Sequence, residues 1–231
     1  MTSFYSNHLE AGDNELGEEA AHHAQVRRMV VGDTVVVTNG IGDRGIGTLV
    51  GLGKKSMVVS VGPLDSVPCP RRIHLYVPIA DRDRMLWLAE KATELQVSSW
   101  TPVMYRRSKS VTPRGEGDAF DRKARARMVS ALEQSGGAWL PDVRAAIDAT
   151  DLPRPGAMVG YVLERRGLSL ARSAGSHEEI ALAVGPEGGF EDDEIGRLID
   201  AGWNLASLGN TILRFETAAL AAVAVARALS A

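Results

Sequence analysis

From residue 71 onward the chain alternates short apolar runs with longer stretches of helical spacing, and no other feature constrains the fold as much. Residues 73–79 read as a strand. Met85, Leu88, Ala89, Ala92 and Leu95 then fall on one face of a helix. Residues 100–105 read as the next strand. Residues 120–134 read as a long helix with Ala124, Met128, Ala131 and Leu132 inside and basic residues outside. Strands follow at 157–163 and 180–184, then a helix at about 192–201 stopped by Gly202, a strand at 205–208 and a last helix at about 216–229. This alternation predicts a mostly parallel α/β sheet with helices on both faces.

The preceding third is different. β-branched runs at 35–37, 47–50 and 57–61 are separated by turn signals at Asn39-Gly40, Gly42-Asp43 and Gly53-Lys54-Lys55. A small β-barrel or strongly bent sheet is expected there. Pro63, Pro68 and Pro70 mark a linker, so the expected division is 1–68 and 69–231. The net charge of −3 means that any nucleic-acid contact must come from a local basic patch. The single cysteine, Cys69, excludes an internal disulfide and a multi-cysteine zinc site. His8, His22, His23, His74 and His177 are not spaced as metal ligands, so no metal is expected. Nothing reads as a secretory signal, and the most apolar stretch, 218–226, is too short to span a membrane. The expected compartment is the reducing cytoplasm.

Four segments carry chemistry. Residues 184–190, VGPEGGF, follow a strand and open a helix. Such turns often hold phosphate on free backbone N–H groups, but this helix begins Glu191-Asp192-Asp193-Glu194, which would repel one. A nucleoside with a cationic sulfonium, such as S-adenosylmethionine, is compatible; a plain tight turn is the alternative. Residues 208–217, LGNTILRFET, again join strand to helix and place Arg214 and Glu216 beside an apolar end; simple helix capping is the alternative. Between Arg106 and Arg127 stand eight basic residues (Arg106, Arg107, Lys109, Arg114, Arg122, Lys123, Arg125, Arg127) against three acids (Glu116, Asp118, Asp121). This is a plausible RNA footprint, or a solvated helix face. Residues 133–141, EQSGGAWLP, end a helix in polar residues that either line a pocket or cap.

In order along the chain, HHAQVRRM with Arg28, EKATELQV followed by Pro102 and RRS, EQSGGAWLP, VGPEGGF and LGNTILRFETAAL resemble the RsmE-type 16S ribosomal RNA uracil-N3 methyltransferases of the SPOUT class, over almost the full length. The resemblance implies an N-terminal PUA-like RNA-binding barrel. It also implies a C-terminal domain tied in a trefoil knot, an exception to the unknotted rule, and a homodimer formed through that domain. It implies methylation of a uridine in the decoding region of 16S rRNA in the small ribosomal subunit. Four places depart from the usual pattern and leave the target nucleotide open: Gln96 for glycine, Gly137 for arginine, Asn210-Thr211 for an arginine-bearing stretch and Phe215 for threonine.

By the same resemblance Leu163 and Glu164, Gly185, Pro186, Glu187, Gly188 and Gly189, and Leu208, Gly209, Ile212 and Leu213 hold S-adenosylmethionine. Arg28, Arg106, Arg107 and Lys109 are the expected RNA contacts. Methyl transfer is an in-line displacement, so positioning and electrostatics are the main tasks. Arg214 would stabilise charge developing on the uracil oxygens, Glu216 would accept the N3 proton or orient Arg214, and Phe215 would stack on the base. Three rivals stand beside this reading: ribose 2′-O methylation, a non-catalytic RNA-binding protein of the same architecture, and a nucleotide-dependent α/β enzyme. The missing GxxxxGK[ST] and GxGxxG fingerprints speak against the last.

Overall fold

A computed structural model describes residues 1–108, 117–175 and 177–229. The chain forms two compact units. The first is Met1–Cys69 together with Val129–Leu140; the second is Pro70–Met128 together with Pro141–Ala231.

The first unit contains β1 (Thr2–Tyr5), β2 (Gly12–Leu16), α1 (Glu18–Val26), β3 (Thr34–Thr38), β4 (Asp43–Leu52) and β5 (Met57–Ser66). They form one sheet in the order β1-β3-β4-β5-β2, with β1 parallel to β3 and the other pairs antiparallel. Alternate residues point inward, as a half-buried strand requires. Val35, Val37, Leu49, Met57, Val59 and Val61 meet Phe4, Leu16 and the α1 residues Ala21 and Ala24. Pro63, expected in a linker, instead lies inside β5. It is tolerated because β2 pairs with β5 only as far as Val61, so Pro63 withholds no N–H from that neighbour. Residues 129–140 complete the unit: the Tyr5 N–H donates to Glu133 (2.9 Å) and the Trp139 indole N–H to the Val67 carbonyl (3.1 Å).

The second unit runs β6 (Arg72–Pro78), α2 (Arg82–Glu94), β7 (Ser99–Met104), α3 (Gly117–Ser135, which continues into the first unit), β8 (Asp142–Val143), β9 (Ile147–Asp148), β10 (Val159–Ser169), α4 (Leu170–Ser173), β11 (Glu179–Ala183), α5 (Asp192–Asp200), β12 (Asn204–Ser207) and α6 (Phe215–Ala228). The sheet order is β12-β10-β11-β6-β7-β8, with β9 also on β7, and among the described residues its strand pairs are parallel. Every residue from Ile73 to Pro78 in β6 is buried, so both faces of the central sheet are covered. His74 is a satisfied structural residue: its ring nitrogens meet the Ser99 hydroxyl and the Glu179 carboxylate, each at 2.7 Å. The bond to His74 holds the Glu179 carboxyl below its ordinary range. The far end of α6 is pinned by Arg71, which donates to the carbonyls of Ala226 and Ala174, both at 2.8 Å. Arg227 in turn donates to the carbonyls of Arg71 (2.7 Å) and Gln96 (2.6 Å).

Candidate active site

Loops following three adjacent parallel strands, β12, β10 and β11, line one cavity of about 290 Å³. Ligands of open parallel sheets bind beyond these carboxyl ends. The first wall is a bulge in β10. Leu163 and Leu168 both pair with Ala206, so residues 164–167 are looped out of the ladder. Gly167 permits the close crossing, since a Cβ there would lie 2.4 Å from the Ala206 nitrogen. Glu164 and Arg165 reach the cavity from this bulge. The second wall is the turn after β11, closed by the Gly189 N–H donating to the Pro186 carbonyl at 2.8 Å. Gly189 sits at φ 73°, where a residue with a Cβ loses about 1–2 kcal/mol. The buried Phe190 ring packs on Gly185, whose Cβ would lie 2.8 Å from it, and meets Tyr105 edge-on at 5.1 Å. Leu208, Gly209 and Thr211 to Leu213 form the third wall, with Phe215 and Ala218 of α6.

The lining suits S-adenosylmethionine. It combines glycines and apolar side chains with two carboxylates, Glu164 and Glu187, and among the described lining residues Arg165 is the one lysine or arginine. Such a set favours a cation-bearing nucleoside and offers little to a phosphate.

A guanidinium joins two of the walls. Arg84 lies in the first turn of α2, which is opened by Asp81 accepting from the N–H groups of Asp83 and Arg84 (3.1 and 3.2 Å). Arg84 donates through Nε and Nη2 to the two Glu216 oxygens (3.1 and 2.6 Å) and through Nη1 to Glu187. Its guanidinium carbon stands 4.7 Å from the centre of the buried Phe215 ring. The bonds to Glu216 hold Arg84 above its ordinary value, firmly protonated. The acidic start of α5 engages two further arginines. Arg106 forks onto Asp193 (2.8 and 2.5 Å). Arg107 forks onto Glu191 (2.7 and 2.9 Å) and donates to the Gly188 carbonyl (2.8 Å). Glu194, 2% exposed, accepts the N–H groups of Arg106 (3.1 Å) and Glu191 (2.8 Å), the second as part of a reciprocal cap.

Every residue assigned above to the cofactor lines this one cavity. The left-handed backbone falls on Gly189; at Gly188 a Cβ would instead meet the Arg107 side chain at 3.1 Å. Arg214 and Glu216 are not on the lining. Arg214 occupies the N-cap position of α6, exposed, and its side chain makes no hydrogen bond or ion pair among the described residues. The expected Arg214–Glu216 partnership is not formed, because Arg84 takes both Glu216 oxygens. Nor is Phe215 presented for stacking on a base: it is 2% exposed beneath Arg84. Arg28 is exposed at φ 56° just after α1. Arg106 and Arg107 are ion-paired as described, and Lys109 lies outside the described residues. Sequence reasoning passed over Arg84. The signal available was two acids in glycine-turn and helix-start motifs, Glu187 and Glu216, with no cation assigned to either.

The chain matches the model of the RNA methyltransferase domain over residues 67–227 and that of the RNA methyltransferase PUA domain over residues 16–62. It is 31% identical to ribosomal RNA small subunit methyltransferase E of Mycobacterium bovis, over 90% of this chain and 82% of that protein. It is 27% identical to the protein of the same name from Rickettsia conorii, over 97% of this chain and 94% of that one. The crystal structure of a ribosomal RNA small subunit methyltransferase E from Neisseria gonorrhoeae bound to S-adenosyl methionine matches with a TM-score of 0.90 at 27% identity, covering 99% of this chain and 98% of that one.

Proposed function

The chain belongs to the family of ribosomal RNA small subunit methyltransferase E, and on that premise we propose that it methylates N3 of a uridine in 16S rRNA of the small ribosomal subunit, with S-adenosylmethionine as donor. The observation that carries the donor is the convergence of three separate loops on one acid-lined, phosphate-averse cavity, and the family match supports the rRNA substrate. When bound there, S-adenosylmethionine supplies an electrophilic methyl group. The turns at Gly185–Gly189 and Leu208–Leu213 would hold it with backbone groups and apolar walls, while Glu164 and Glu187 face its positive charge. Arg214, whose side chain makes no hydrogen bond or ion pair among the described residues, would meet the uracil oxygens as they gain negative charge.

The same reading includes a homodimer through the second unit, with its trefoil knot, and a cytoplasmic site of action on ribosomal subunits. On α6, Thr217 and Ala224 remain exposed within a small-residue helix, which would allow a second copy to approach closely. Arg28 would contact RNA from the first unit. Arg106, Arg107 and Lys109 would extend that contact, the first two by exchanging their carboxylates for phosphate.

The test is titration calorimetry with S-adenosylmethionine on the protein and on Gly188→Val. The atoms nearest a Cβ at Gly188 are those of the Arg107 side chain, 3.1 Å away, which must give slightly; circular dichroism first establishes that the variant folds. Its binding should be lost. A folded variant with unchanged affinity would contradict the assignment.

A further inference from the structure

We propose that Arg84 is a positioning residue that locks the cofactor turn to the start of α6, and that Glu216 serves this lock rather than taking the proton from the substrate. The proposal rests on the assignment of the cavity to S-adenosylmethionine. Arg84 reaches two carboxylates from different loops: Glu187 lies in the cavity wall, and Glu216 follows the wall residue Phe215. Its flat face lies over the Phe215 ring. One planar guanidinium therefore sets the spacing of the second and third walls, and the buried ring sets its tilt. A lysine, with a compact ammonium, cannot serve both carboxylates in the same plane and also lie over the ring. Without the cation, Glu187 and Glu216 would confront each other as like charges and drive the turn away from α6.

The arrangement also decides the role of Glu216. Both of its oxygens are taken by Arg84 (3.1 and 2.6 Å), and Glu216 is not among the residues lining the cavity. A carboxylate engaged on both oxygens and set off the lining is placed to hold Arg84 rather than to reach the substrate. Its position within the first turn of α6 suits it to anchoring.

The test combines calorimetry with S-adenosylmethionine and single-turnover methylation of unmethylated small subunits, on Arg84→Gln, Arg84→Lys, Glu216→Gln and the double variant Arg84→Gln/Glu216→Gln. Arg84→Gln should weaken cofactor binding on the order of tenfold, a size typical of directly coupled groups, and Arg84→Lys should recover only part. Glu216→Gln should slow transfer in the wild-type background and add less than about twofold once Arg84 is glutamine, because the lock is already broken. If Arg84→Gln does not fold, Glu187→Gln opens one side of the lock and should show the same loss of affinity. Wild-type affinity in a folded Arg84→Gln or Glu187→Gln protein would overturn the lock. An equal rate loss from Glu216→Gln in both backgrounds would overturn its role in it. A wild-type protein that binds no S-adenosylmethionine would instead remove the cofactor reading on which the proposal stands.

Discussion

Gln96 holds a backbone conformation that glycine adopts without strain. It follows the last residues of α2 at φ 56°, with its own N–H on the Thr93 carbonyl (2.9 Å) and the Val97 N–H on the Ala92 carbonyl (3.0 Å). This is the paired-bond helix ending whose left-handed residue is normally glycine, as Gly202 is after α5. The departure from the family's glycine is therefore a cost in stability rather than a change at the site. Gln96→Gly should raise the unfolding free energy by about 0.5–1 kcal/mol, the left-handed penalty less the entropy that glycine adds. A denaturant midpoint that does not rise would contradict this. Arg214 poses the complementary case, a residue exposed and unpartnered among the described residues yet placed between the wall residues Leu213 and Phe215. Arg214→Ala should slow single-turnover methylation by about 10²-fold and leave cofactor affinity unchanged. A fall in affinity with an unchanged rate would move Arg214 from chemistry to binding.

The acidic first turn of α5 shapes what the neighbouring basic stretch can do. Asp193 and Glu191 suit the positive end of the helix dipole, and they also neutralise Arg106 and Arg107. A phosphate would have to displace those carboxylates. Arg106→Ala with Arg107→Ala should therefore flatten the salt slope of RNA binding by less than about 0.7, the share of one free contact on single-stranded RNA. Arg28→Ala, which removes an exposed guanidinium with no ion pair among the described residues, should flatten it by about 0.7. A change near 1.4 for the double variant, about two contacts' worth, would show that both arginines leave their acids for phosphate. Filter binding across a range of salt concentrations measures all three.

Across the whole molecule, legibility followed locality. In the second unit β6, β7, β10, β11 and β12 were readable because parallel strands buried on both faces become largely apolar runs, as in Ile73–Pro78, whereas β8 and β9, two residues each, were not. The turns at 185–189 and 208–213 that line the cavity stood out because each follows such a run and carries glycine, whereas Leu163 and Glu164 were named only through the family resemblance. The first thirty residues were not readable. β2 buries only Asn14 and Leu16, and α1 buries only Ala21 and Ala24, so neither shows a hydrophobic period. The bulge at 164–167 was invisible because it depends on Gly167 meeting the backbone of β12. The Arg84 lock was invisible because its partners lie 103 and 132 residues away. Composition and spacing describe neighbours in sequence, whereas such charge networks are made by the fold.

On the proposed reading, this cavity delivers a methyl group to N3 of one uridine in 16S rRNA. The direct measurement incubates the protein with methyl-labelled S-adenosylmethionine and unmethylated small ribosomal subunits, then locates the label by nuclease mapping and nucleoside analysis. The expected result is label in 16S rRNA at a single position, recovered as 3-methyluridine. Label recovered as a 2′-O-methyl nucleoside, or no label from a protein that binds the cofactor, would rule out N3 methylation by this site.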